Sequence, residues 1–231
     1  MSSSIKNKDV KTLGYVLKRT NYGEADRILN LITPQGKIAV IAKGVRKEKS
    51  KLAGGIEMFT LTDFNIHFGK SEFGVVTSAR MQKHYGEIIK DLNKMELAAM
   101  MLKMASRAAE GSDNAEYFKI VDQSLQALDM NEENSLVEAW YLLNLKKAMG
   151  EEVNLYRDIN GEKLNANDNY FWDTYEMAFA KNEKGEYGAD EIKLLRLMVS
   201  NDFGVIRRVK VQADMAERVL RLAKNGGIIY R

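Results

Sequence analysis

The apolar residues change period once along the chain, near His84, and that change divides what the chain can fold into. Before it, Leu13, Tyr15 and Leu17 alternate with Gly14, Val16 and Lys18. Residues 28–32 form a mostly apolar run, and Ile38 and Val40 alternate with Lys37, Ala39 and Ile41. A period of two sends successive side chains to opposite faces, so each stretch predicts a half-buried strand. Thr33-Pro34-Gln35-Gly36 places Pro where a turn needs a fixed φ and Gly where it needs freedom, which predicts a hairpin of the second and third strands. Phe59 and Leu61 stand in one phase and Phe64, Ile66 and Phe68 in the other; a β-bulge near Thr62 and Asp63 would explain the slip. The turn Gly69-Lys70-Ser71 then leads to a fifth strand from residue 74. Five short antiparallel strands in this length predict a small Greek-key barrel of the OB type.

Beyond His84 the period lengthens to about 3.6. Leu97, Ala98, Met101, Leu102, Met104, Ala105 and Ala108 fall on one helical face before Gly111. Asp113 with Glu116 predicts a capped start for the next helix, and Ser135-Leu136-Val137-Glu138 has the S-x-x-E form that satisfies first-turn amides. Gly111 and Gly150 stand where helices should stop. Residues 151–188 are rich in Asn, Asp, Glu and Gly around Tyr170, Phe171, Trp172, Tyr175 and Phe179, and predict irregular structure or a short helix that buries its rings. Two more helices are expected over 190–201 and 212–225, joined by Arg207-Arg208-Val209-Lys210. The expected class is α+β: an all-β OB-fold domain over residues 1–83, then an all-α helical domain over 84–231 with an irregular, zinc-free insertion at about 151–188.

Charge follows the same division. Residues 1–83 hold 15 Lys and Arg against 7 Asp and Glu, or +8, and residues 84–231 hold 20 against 25, or −5. A basic front on a nearly neutral chain points to a polyanion. There is no Cys and there are only two His, which excludes disulfides and thiolate metal sites, and no cofactor is expected. No apolar run approaches the roughly 20 residues of a membrane span, and residues 1–9 lack a signal peptide's apolar core, so a cytoplasmic protein with no membrane contact is expected.

Residues 43–55 are the most informative stretch, with Lys43, Arg46, Lys47, Lys49 and Lys51 against the single acid Glu48 and glycines at both ends. Unpaired cations cannot be buried, so they should project from a mobile connection between the third and fourth strands, where a phosphate backbone can release counterions against them. The plainer alternative is a solvated loop. Lys18, Arg19, Arg27 and Lys37 add charge on or beside the first three strands, and Tyr22, in the loop before Arg27, is the ring best placed to stack on a base. Catalytic readings fail: Gly69-Lys70-Ser71 lacks the earlier glycine of a phosphate-binding loop, His67 and His84 have no partners at ligand spacing, and no nucleophile motif is visible.

The run from Gly14 to Phe59 resembles RecO, the bacterial recombination-mediator family. Residues 14–29 are similar to its opening strand, Y-G-E-x-D turn and second strand. Gly36-Lys37-Ile38, Ala42-Lys43-Gly44-Val45-Arg46-Lys47 and Lys49-Ser50-Lys51-Leu52-Ala53-Gly54 are similar to its glycine-flanked basic segment. The resemblance implies an OB-fold that binds single- and double-stranded DNA, anneals complementary strands and helps load recombinase onto DNA coated by single-strand-binding protein. It also implies RecR as a partner and a place in the bacterial cytoplasm at the nucleoid. Many members carry a four-cysteine zinc site after a Leu-Gly pair; here Met149-Gly150 stands for the pair, and residues 157–161 with the aromatic island replace the ligands, so packed rings would take over the metal's stabilising role. The acidic tail of single-strand-binding protein ends in an apolar residue and needs a basic pocket with an apolar floor. Arg207, Arg208 and Lys210 are one candidate cluster for it, and Arg218, Arg221 and Lys224 the other. Two rival readings fit the same residues: an OB-fold protein that binds RNA, and a scaffold whose barrel binds an acidic partner.

Overall fold

The computed structural model describes residues 8–71 and 73–225, so most of the polar start read above for a leader lies outside the described residues. Five strands, β1 (Lys8–Tyr22), β2 (Asp26–Thr33), β3 (Gly36–Ala42), β4 (Thr60–Phe68) and β5 (Gly74–His84), close into a barrel in the order β1-β2-β3-β5-β4. The long β1 serves two neighbours, pairing with β4 through its first half and with β2 from Tyr15 onward. The handover falls at Gly14, where a Cβ would stand 3.2 Å from the carbonyl oxygen of Ile32 and 3.5 Å from the Phe64 ring. A side chain here would press on that carbonyl and force the strands apart by a few tenths of an ångström, a crowding that glycine avoids. A parallel contact of β3 with β5, Val40 opposite Gly74, completes the cylinder. Its core is Val16, Leu29, Leu31, Val40, Ala42, Phe64, Ile66 and Val76, joined by Val45 and Ile56 from the connection before β4.

The expected slip in β4 is absent, because the strand keeps one phase throughout. Thr60, Thr62, Phe64 and Ile66 all face inward, Leu61 faces the other way, and Phe59 lies outside the strand with φ of 58°. Two buried threonines, their hydroxyls 3.4 Å apart, occupy interior positions that apolar counting skipped. The irregularities fall on β5 instead, where the pairing steps past Gln82 and again past Thr77.

Helices α1 (Gly86–Ile89), α2 (Leu92–Ala108), α3 (Glu116–Asp129) and α4 (Asn134–Ala148) follow. After α4 come two short strands, β6 (Tyr170–Asp173) and β7 (Ala178–Lys181), and then α5 (Ala189–Ser200), α6 (Phe203–Ile206) and α7 (Ala213–Asn225). The chain divides into two compact units, Met1–Leu125 and Gln126–Arg231, with the division inside α3. Two expected helix starts are corrected. Asn114, not Asp113, accepts the amide of Glu116 at 3.0 Å, and Ser135 lies within α4, its hydroxyl donating to Glu217.

In the first unit, helices cover one end of the outer face of β1–β3. Tyr15, 1% exposed, donates its hydroxyl to Asp122 of α3 at 2.5 Å and accepts from Tyr85 at 2.7 Å. Burial, then the neighbouring Tyr85 and Asp122, drives its acidity well below that of an ordinary phenol, so it stays protonated.

The second unit is mixed rather than all-helical. Residues 170–181 form the antiparallel β6–β7 pair, so a small sheet replaces the expected irregular or helical insertion. Its core is Phe179, fully buried, with the rings of Trp172, Tyr187 and Tyr170 at 5.2, 5.8 and 6.0 Å. Alternation explains which rings go in: Tyr170 and Trp172 share the face that meets Phe179, while Phe171 points away and Tyr175, between the strands, is 92% exposed.

Candidate nucleic-acid interface

The end of the β1–β3 face that the helices leave open carries the candidate residues of the barrel. Pairing places Lys18 opposite Asn30, Thr20 opposite Ile28 and Tyr22 opposite Asp26, and these share the outer face. Lys18 and Tyr22 are exposed, and Tyr22 ends β1 rather than standing in the following loop. Arg19 and Arg27 belong to the other phase, the one that holds Leu29 in the core, at the point where the barrel opens. The Arg27 Nε donates to Asn21 at 3.3 Å, and the Arg19 Nη1 bridges to Glu57 at 2.7 Å.

Residues 43–51 are a turn-rich segment fastened to this end, not the mobile connection expected. Gly44 adopts φ of 63°, its amide is accepted by Asp26 Oδ1 at 2.6 Å, and Val45 beside it is buried in the barrel core. The Arg46 amide donates to Ala25 at 2.9 Å and its guanidinium to the Gly23 carbonyl at 3.2 Å, which ties the segment to the β1–β2 turn next to Tyr22 and Arg27. With the backbone fixed in this way, Lys43, Arg46, Lys47, Lys49 and Lys51 all project into solvent. Among the described residues none of these five is bridged to a carboxylate. Burial of Val45 at their centre and the mutual repulsion of the cations together account for the outward display.

Lys37 is the exception and leaves the set. It lies at the helix-covered end of the face, where its ammonium donates to the Ser106 carbonyl at 2.8 Å and bridges to Glu110. Those are C-terminal groups of α2, so Lys37 caps a helix and is not presented to a ligand.

In the second unit the two cationic clusters differ. On α7, Arg218 is bridged to Glu191 at 2.7 Å and Asp214 at 2.8 Å, Arg221 to Glu186 at 2.5 Å, and Lys224 to Glu138 at 2.9 Å. Asp214 and then Glu191 hold the Arg218 guanidinium even more firmly protonated than usual, and Arg218 in turn keeps Asp214 below the ordinary carboxylate range. In the other cluster Arg207 meets Glu132 at 3.4 Å, while Arg208 and Lys210 are exposed with no carboxylate bridge among the described residues. Lys210 and Val209 border a cleft of about 370 Å³ with Lys193, Leu194, Leu197, Met215 and Asp190. Lys193 and the Leu194–Leu197 floor escaped the sequence reading; their signal was the apolar stripe of α5, whose neighbour only the fold supplies.

The class defined by this architecture is a mixed α+β protein with a closed five-stranded barrel, one end of which displays unneutralised cations. The family model for the N-terminal part of recombination protein O matches residues 7–85, and the model for its C-terminal part matches residues 89–224. The chain belongs to the RecO family, and its role lies in DNA repair and recombination. It is 29% identical to the DNA repair protein RecO of Dehalococcoides mccartyi strain 195, over 96% of this chain and 90% of the relative. It is 26% identical to that of Alkaliphilus metalliredigens over 93% and 91%, and 32% identical to that of Moorella thermoacetica over 58% and 50%. Among the described residues no helix is long and apolar enough to cross a membrane. The region for which the resemblance implied a zinc site does not fit the ion: the chain has no Cys, and the Asp158 carboxylate accepts the amides of Asn160 and Glu162, each at 2.9 Å.

Proposed function

We propose that the barrel is an OB-fold that binds single- and double-stranded DNA through Lys43, Arg46, Lys47, Lys49 and Lys51, with Lys18, Arg19 and Arg27 beside them and Tyr22 available to stack on a base. The strand order β1-β2-β3-β5-β4 and closure of the sheet support the OB assignment. The observation that carries the DNA reading is the row of five exposed cations on a fixed segment, against the single acid Glu48 and with no carboxylate bridge to any of the five among the described residues. Annealing follows from the same property. Two phosphate backbones repel each other, a cationic surface lowers that repulsion, and weak contacts at each phosphate let the strands slide into register. No bond is made or broken.

The test is a titration with labelled single-stranded and duplex oligonucleotides at several salt concentrations. If about five phosphates of a single strand are neutralised, log K falls against log salt with a slope near −3.5. A flat response sinks the reading, and equal annealing of RNA at matched salt favours the RNA-binding alternative.

We further propose that help in loading recombinase uses the second unit, with the acidic tail of single-strand-binding protein in the cleft beside Lys210. The Leu194, Leu197, Val209 and Met215 side chains offer an apolar floor, and Lys210 a cation with no carboxylate bridge among the described residues, while Lys193 at the same rim is bridged to Asp190 at 3.4 Å. The ion pairs of Arg218, Arg221 and Lys224 argue against the α7 cluster. A tail peptide that loses affinity in a Lys210→Glu variant but not in Arg221→Glu supports the assignment; the reverse pattern moves the site to α7. RecR is the further partner that family membership implies.

A further inference from the structure

We propose that Glu57 is an internal competitor for DNA phosphate at Arg19, a carboxylate built into the interface that holds one cation in reserve; this rests on the DNA-binding reading above. Both partners are fixed by their own chain. Arg19 is registered on β1 opposite Leu29, and its Nη1 donates to Glu57 Oε2 at 2.7 Å. Ile56, next to Glu57, is fully buried in the barrel core, and the Glu57 carbonyl accepts from Thr60 Oγ1 at 2.7 Å. The acid is therefore anchored at the foot of the basic segment. Asp26, another acid at this edge, accepts the Gly44 amide and so holds backbone rather than a cation. With Lys37 set aside at the covered end, Arg19 alone of the candidate barrel cations is bridged to a carboxylate among the described residues.

The pair is open to exchange. Its side chains are 27% and 52% exposed, so the bridge is screened by solvent and weak. A guanidinium matches two phosphate oxygens as well as it matches a carboxylate, and a displaced Glu57 is rehydrated. A bound strand thus gains less from Arg19 than from an unpaired cation, since it must displace an anion that stays close by. For a protein that brings strands together and then lets them slide, such a partner tempers affinity at one point without removing the cation.

Glu57→Gln, Arg19→Gln and the double variant are compared with the parent in salt titrations of a fluorescent single-stranded oligonucleotide and in annealing assays. Freeing the guanidinium adds about one phosphate contact, so in Glu57→Gln the slope of log K steepens by about 0.7 and affinity at 0.1 M salt rises about fivefold. Annealing at low salt slows, because strands are held too firmly, and the double variant loses the gain. Unchanged affinity and slope in Glu57→Gln overturn the proposal, and so does a gain that persists in the double variant, which would make Glu57 a distant negative charge only. A purely structural bridge gives the opposite sign, with lower melting temperature and weaker binding in Glu57→Gln. Failure of the DNA-binding reading is told apart from all of these by the parent titration, whose salt response would be flat.

Discussion

The basic segment of the barrel carries five cations and the last helix three, and the fold treats the two sets in opposite ways. In residues 43–51 five cations meet solvent with no bridging acid among the described residues, whereas on α7 Arg218, Arg221 and Lys224 are each bridged to a carboxylate within 3 Å. Charge counted along a sequence is not charge offered to a ligand. What decides is whether the fold brings Asp or Glu to meet it, and here it does so around α7, at α2 and, through Glu57, at Arg19, but leaves the cations of residues 43–51 without a bridge among the described residues. The difference also predicts where each cation acts: free ones govern DNA affinity and paired ones govern stability.

The hardest test of this contrast reverses the charge of Arg46, Lys47, Lys49 and Lys51 together. Single-stranded DNA affinity at 0.1 M salt should fall by at least about a thousandfold. The melting temperature should barely move, since these side chains are exposed and unbridged, and the single hydrogen bond among them, from Arg46 to the Gly23 carbonyl, is open to solvent. A fully active variant, or one that unfolds, breaks the contrast.

Next in size is Lys146, a fully buried cation on α4 whose ammonium donates to the Ala223 carbonyl of α7 at 2.5 Å. Burial pushes it down to about 8, against the pull of Glu151. Between pH 8 and about 10 the unfolded chain keeps a proton that the folded chain has released, so this group makes the protein more stable as pH rises through that window. In Lys146→Met that rise, about 2 kcal/mol, should flatten, as read from melting temperature against pH. A parent and variant with parallel pH profiles would contradict it.

Smaller again is Arg218→Ala, which strands the buried Glu191 carboxylate without its guanidinium. We expect a loss of about 1–2 kcal/mol in denaturant unfolding, with DNA affinity unaltered. Smallest is the effect of Lys37→Gln on DNA: the salt slope should match the parent within error, because its ammonium already serves α2. A shallower slope would return Lys37 to the binding set.

Much of the architecture was legible in the sequence because period reports burial directly. Five strands and the principal helices appear where the alternation and the 3.6-residue stripes place them, and Gly111 and Gly150 end helices with φ of 68° and 83°. The β4 phase was misread because Thr60 and Thr62 are buried polar residues, which a count of apolar side chains passes over. The β6–β7 hairpin was missed because each strand is only four residues long and its rings pack through contacts made across the turn. For the interface, outward display of residues 43–51 followed from the cost of burying unpaired charge. The partners of Arg19 and Lys37 did not, since Glu57 and Glu110 lie 38 and 73 residues away and only the fold joins them.

The anchoring of Val45 in the barrel core carries a kinetic consequence. On the proposed reading, a nucleic acid that reaches this surface finds its complementary charges already arrayed and has no loop to order around itself, so capture loses little conformational freedom on the protein side. Encounter should therefore proceed near the pace of diffusion, quickened by the local field and slowed by added salt, and differences among oligonucleotides should surface in how fast they leave rather than in how fast they arrive.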